Sequence, residues 1–182
     1  PVSVPGSSST MKEAGLPDGV LNVVHGAKDA VDVLLAHPDV SAVSVVGSVA
    51  VANYIYATAA ATGKRVQALG GAKNHLLVMD DADLDKTVTA LLSSAFGNAG
   101  QRCLAGSVAV GVGSLGDALV RELTEQAGRL TVGNGMDPAT DMGPVIRAEH
   151  RDRVASYLDI AKQDGASVAL DGRRKFDSDG FL

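Results

Sequence analysis

From Leu16 onward, short runs of Val, Leu and Ala alternate with longer helix-forming stretches, and each is punctuated by Gly or Pro. This alternation constrains the fold more than any other feature. Strands and helices that take turns call for an α/β fold of parallel strands joined by helical crossovers. The first strand candidate is Val20–Val24, ending at His25-Gly26. A helix over Asp29–Ala36 must stop at His37-Pro38, because Pro disfavours helix in the residue before it. Ser41–Val46 reads as a strand ending at Gly47-Ser48, and the helix Val49–Thr62 follows with Gly63 as its C-terminal stop. Arg65–Leu69 and His75–Met79 are strand candidates on either side of a Gly70-Gly71 turn. Asp83 can cap the helix Leu84–Phe96. The loop GNAGQRCLAG then leads to the strand Ser107–Val112 and the helix Leu115–Leu130. A Gly/Pro-rich loop over Val132–Pro144, the helix Ala148–Ala166, the strand Ser167–Leu170 and a polar tail complete the series. The opening PVSVPGSSST has a composition that predicts disorder. The weakest seam lies near Gly70–Asn74, a plausible border between two α/β lobes.

Composition narrows the function classes. The net charge of -5 argues against nucleic acid as a partner, since such binders carry a basic patch. It argues equally against a polybasic membrane anchor, and no apolar run approaches a membrane span. One Cys excludes an internal disulfide and a multi-thiolate metal site, so no metal is expected and a reducing, cytoplasmic setting fits best.

Three features can carry chemistry. Gly47-Ser48 closes a strand and opens a helix, where free backbone N–H groups and the helix dipole suit a phosphate. Many such turns hold no ligand. His25-Gly26 is a second turn of the kind, and neither is a GxGxxG fingerprint. Cys103 lies in the small, polar segment Gly97-Asn98-Ala99-Gly100-Gln101-Arg102-Cys103, with Arg102 beside it. A neighbouring cation favours the nucleophilic thiolate, and a free thiol at a loop edge is the plain alternative. The four His have no metal-ligand spacing, and His75 is a candidate base that equally well just opens a strand.

Taken together, the segments resemble the aldehyde dehydrogenase superfamily in their order. Leu16-Pro17-Asp18-Gly19-Val20-Leu21-Asn22-Val23-Val24 resembles the stretch before that family's cofactor turn, and Val46-Gly47-Ser48 resembles the turn itself. Ala68-Leu69-Gly70-Gly71 resembles the family's Glu-Leu-Gly-Gly motif, and Asn98-Ala99-Gly100-Gln101-Arg102-Cys103 its nucleophile loop. Asp141-Met142-Gly143-Pro144 resembles a later structural loop. Gly63-Lys64-Arg65-Val66-Gln67-Ala68, with Gly71-Ala72-Lys73-Asn74-His75 and Gly100-Gln101-Arg102-Cys103, is similar to the methylmalonate-semialdehyde dehydrogenase branch. The resemblance implies a C-terminal part of a Rossmann-like cofactor domain over 13–71 and part of an α/β catalytic domain over 72–182. Residues 1–12 stand apart as a disordered or non-family segment.

By that resemblance, Cys103 is the catalytic nucleophile, Arg102 a substrate-binding residue, and Gly47, Ser48, Leu69 and Gly70 line the NAD site. The branch oxidises malonate or methylmalonate semialdehyde with NAD and passes the acyl group to coenzyme A with loss of carbon dioxide. A small aldehyde is the implied substrate, and a homo-oligomer the implied assembly. Arg102 can instead tune the thiol or pair on the surface. Where most relatives have the Glu that activates hydrolytic water, this chain has Ala68, beside a neutral Gln67. The family's upstream oxyanion Asn, its ribose-binding Lys and a downstream Glu have no counterpart here, so the chain reads as an internal fragment that is inactive alone. A hydrolytic NAD(P)-dependent aldehyde dehydrogenase and an inactive remnant are the alternative readings.

Overall fold

The computed structural model describes residues 9–175. The chain divides into two compact units, Pro1–Gly71 and Ala72–Leu182.

The first unit contains α1 (Lys28–Ala36), β1 (Ala42–Gly47), α2 (Val49–Ala61) and β2 (Arg65–Gly70). β1 and β2 pair in parallel, from Ala42 against Arg65 to Gly47 against Gly70. The crossover α2 is rich in Ala, the best helix former. The Ser48 hydroxyl caps its start by accepting from the Val51 N–H at 3.4 Å. Gly63, with φ of 74°, provides the left-handed residue that ends it. Leu35, Ile55 and Ala59 form the core, and Val43, Val45 and Val66 from one face of the strand pair pack against it. The alternate residues Val46 and Leu69 are exposed, as strand periodicity requires. Lys28, Asp32 and Tyr54 join the two helices: the Tyr54 hydroxyl donates to Asp32 at 2.7 Å, and Lys28 bonds to both. The Lys28 ammonium, then the Tyr54 hydroxyl, hold the Asp32 carboxyl below its ordinary pKa.

Lys64 is buried between α2 and β2, and its ammonium donates to the carbonyls of His37 at 2.6 Å and Val40 at 2.8 Å. It clamps the turn between α1 and β1 onto the start of β2. Lys64→Ala leaves both acceptors without that donor and should cost about 2–3 kcal/mol, since hydrogen bonds to charged groups are the strong ones. Urea unfolding measures this; a loss below about 0.5 kcal/mol would mean that water replaces the ammonium.

Two expectations change in this unit. Residues 9–13 form a helical turn instead of disordered chain, while residues 1–8 lie outside the described residues. Val20–Val24 is not a strand: its Val and Leu side chains are exposed, and among the described residues the sheet pairs β1 with β2 alone. A strand exists through its ladder, and no neighbour pairs with this segment among the described residues.

The second unit contains β3 (Asn74–Val78), α3 (Leu84–Phe96), a 3₁₀ turn (Gly97–Gly100), β4 (Gly106–Gly111), α4 (Leu115–Gly128), α5 (Ala148–Gln163) and a final 3₁₀ turn (Gly172–Lys175). β3 and β4 are parallel, with a bulge where Asn74 faces Gly106 but His75 faces Val108. The Asp83 carboxylate caps α3 by accepting from the Lys86 N–H at 3.1 Å. Val78, Val88, Leu91 and Leu119 form the core, so β3, α3 and α4 are one packed layer pair. Asp80, just past β3, accepts from the N–H and the hydroxyl of Ser114 and fixes the start of α4. An apolar cavity of about 760 Å³ is lined by Leu91, Phe96, Val108, Leu123 and Leu158.

Ser167–Leu170 does not form the expected strand. Again no ladder partner is present among the described residues. The segment is instead held from its end, where Arg173 bonds Asp171 and Asp159. The Arg173 guanidinium keeps the Asp171 carboxyl well below the usual carboxylate range. α5 ends at Gln163, ahead of the expected Ala166, where Gly165 turns left-handed at φ of 82°. Residues 176–182 of the expected polar tail lie outside the described residues.

Candidate active site

The first unit brings Gly47, Ser48, Leu69 and Gly70 together at the carboxyl end of its strand pair, where open α/β sheets bind ligands. Gly47 lies beside Gly70 in the ladder. A Cβ on Gly70 would stand 3.0 Å from the Ala52 Cβ, 3.1 Å from the Gly47 carbonyl oxygen and 3.2 Å from that of Ser48. Glycine is needed there for room, and the close approach sets the start of α2 against the end of β2. The first N–H groups of α2 emerge at this edge, with the positive end of the helix dipole. The arrangement fits an anionic group such as a phosphate. Gln67 and Ala68 precede it on β2; Gln67 faces Ser44, whose hydroxyl donates to the Gln67 side-chain oxygen at 3.0 Å. His25-Gly26 has no strand before it, and the helix after it has no side-chain cap.

The second unit carries Cys103 and Arg102, in the loop from α3 to β4. The loop opens with Asn98 at φ of 55° and Ala99 at φ of 53°, followed by Gly100 at 70°. Left-handed backbone costs a non-Gly residue roughly 1–2 kcal/mol, so the loop holds Ala99 against its preference. The Gln101 N–H closes the turn on the Asn98 carbonyl at 3.1 Å. The Arg102 guanidinium folds back over Gly97: a Cβ there would meet its Nη1 at 2.6 Å. Arg102 therefore packs on the loop's own entrance.

Cys103 is exposed and is in no disulfide. Its carbonyl accepts from the Asn74 side-chain amide at 2.8 Å, and the same amide donates to the Ala105 carbonyl at 2.9 Å. The Ala105 N–H donates to the Arg102 carbonyl at 3.1 Å, and the Gly106 N–H to the Ser94 hydroxyl at 3.0 Å. The Cys103 N–H has no acceptor among the described residues. A nucleophile with an uncommitted N–H on its own backbone can both attack a carbonyl and donate to the oxygen that becomes charged. His75 is exposed, with Nδ1 2.9 Å from the Lys73 carbonyl oxygen. Among the described residues no His/Cys/Asp/Glu group could hold a metal ion, and no helix is long and apolar enough to cross a membrane.

Sequence reasoning placed Asn74 only inside a motif and gave it no part in the loop. One signal was available: Asn is depleted in strands, yet here it opens an apolar one three residues after the Gly70-Gly71 turn. Ser94, an ordinary helix residue in sequence, had no such signal.

The model of the aldehyde dehydrogenase family matches residues 1–182, and the chain belongs to that family. Within it, the chain is 57% identical over 162 residues to malonate-semialdehyde dehydrogenase 3 of Geobacillus kaustophilus, covering 89% of this chain and 34% of that protein. The crystal structure of methylmalonate-semialdehyde dehydrogenase from Oceanimonas doudoroffii superposes with a TM-score of 0.85 at 53% identity, over 94% of this chain and 36% of that one. Betaine aldehyde dehydrogenase from Staphylococcus aureus, in complex with NAD+, gives a TM-score of 0.79 at 36% identity, over 90% of this chain and 32% of that one. The chain thus spans about a third of the length of the relatives it matches.

Proposed function

We propose that the full-length protein carrying this chain oxidises malonate or methylmalonate semialdehyde and delivers the acyl group to coenzyme A. The Cys103 thiolate adds to the aldehyde carbon, and the carbonyl π electrons move onto oxygen. The Cys103 N–H donates to that oxyanion. Gly47 and Ser48, beside Leu69 and Gly70, would hold the phosphates of NAD, which when bound would serve as the hydride acceptor. When the hydride leaves, Cys103 carries a thioester. The carboxylate β to the thioester carbonyl departs as carbon dioxide, and the carbon left behind takes a proton. The coenzyme A thiolate then attacks the thioester carbonyl and expels the Cys103 thiolate. Arg102 attracts the substrate carboxylate by a charge-assisted hydrogen bond. By analogy with the family the enzyme works as a homo-oligomer in the cytoplasm, with neither nucleic acid nor membrane as partner.

The observation that carries this reading is Cys103 itself: an exposed thiol on an anchored loop, with its own N–H uncommitted. The coenzyme A step draws on Ala68 and Gln67, which offer no base for water. The full-length protein given malonate semialdehyde, NAD and coenzyme A should form acetyl-CoA and carbon dioxide, seen by mass spectrometry. Free malonate as the product would replace this reading with a hydrolytic dehydrogenase.

A further inference from the structure

We propose that Asn74 is a positioning residue for the nucleophile, aligning Cys103 and its oxyanion-donating N–H from across the strand pair. The inference rests on the assignment of Cys103 as nucleophile.

Two peptide planes flank Cys103. The plane before it contains the Arg102 carbonyl and the Cys103 N–H, which point in opposite directions because the peptide is trans. The Ala105 N–H holds the Arg102 carbonyl at 3.1 Å, which fixes where the Cys103 N–H points. The plane after it contains the Cys103 carbonyl, and Asn74 holds that one at 2.8 Å. Asn74 uses its second amide hydrogen on the Ala105 carbonyl at 2.9 Å. Ala105 is 7% exposed, so this end of the clamp is shielded from competing water. One side chain thus spans both ends of the turn that carries the nucleophile.

The requirement is specific to an amide. Only a side chain with two hydrogens on one nitrogen, short enough to stay at the strand end, can serve two carbonyls at once. Asp would present acceptors to acceptors. The bulge on β4, where Ser107 is the extra residue, falls between the Asn74–Gly106 and His75–Val108 pairs, and bulges commonly re-aim a neighbouring side chain. The loop needs the clamp because it stores left-handed strain at Asn98 and Ala99.

The test compares Asn74→Ala, Asn74→Ser and wild type in the full-length protein. Asn74→Ala should lower kcat for malonate semialdehyde about 10- to 100-fold, the scale of a small misplacement of reacting groups. The NAD KM and the rate of Cys103 alkylation by iodoacetamide should stay within about twofold, because neither needs the aligned N–H. Asn74→Ser keeps one donor and should fall between the two. It also decides the matter if circular dichroism shows that the Ala variant does not fold. Wild-type kcat in a folded variant without the amide overturns the proposal, as does alkylation that drops in step with kcat. Cys103→Ala, run in parallel, separates the two ideas. If it is active, the nucleophile assignment falls; if it is inactive while Asn74→Ala is fully active, only the positioning role falls.

Discussion

Cys103→Ala in the full-length protein should lower aldehyde-dependent NADH formation by about 10⁴-fold or more, since removing a covalent nucleophile leaves only binding and electrostatics to catalyse. That factor corresponds to roughly 5–6 kcal/mol of lost transition-state stabilisation. The substitution should leave the fold intact. Cys103 is exposed, its side chain belongs to neither core cluster, and its loop is tied through main-chain groups that Ala retains. NAD affinity should also be unchanged, because Gly47, Ser48, Leu69 and Gly70, proposed to hold NAD, belong to the other unit. Calorimetric titration with NAD beside a steady-state assay separates the two effects. Residual turnover within about tenfold of wild type would reduce Cys103 to a structural thiol.

Omitting coenzyme A should stop the full-length enzyme after about one NADH per active subunit, by the burst logic of covalent catalysis. The reason lies at the end of β2. A thioester on Cys103 must be cleared by activated water or by a stronger nucleophile. A positioned base is worth about 10²–10⁴-fold to water. Ala68 has no proton-accepting group, and Gln67 is neutral and bonded to Ser44. The coenzyme A thiolate needs no such base. Rapid mixing with and without coenzyme A reads both the burst and the steady state. Equal steady-state rates would show that water is the acceptor, activated by a base elsewhere in the protein.

Much of this was written locally in the chain. Alternating apolar strands and helix-forming runs declared parallel strands with crossovers, because the two periodicities are set within a few residues. Ser48 and Asp83 cap the helices they precede, since a cap acts on the next turn of its own chain. Gly63 stops α2 for the same local reason. The loop that carries the proposed nucleophile could be singled out because its small residues, Arg102 and Cys103 are contiguous.

What the sequence could not hold is whatever depends on a distant neighbour. Val20–Val24 and Ser167–Leu170 have strand composition, but each lacks a partner for a ladder among the described residues. The opposite surprise is Lys64, a charged residue that is buried because two carbonyls of the α1–β1 turn receive it. The left-handed backbone at Asn98 and Ala99 goes against intrinsic preference, and propensity alone does not announce it. Asn74 reaches Cys103 across 29 positions of sequence. Propensity and capping are decided by residues close in the chain; burial, ladders and clamps are decided by residues that only folding brings together.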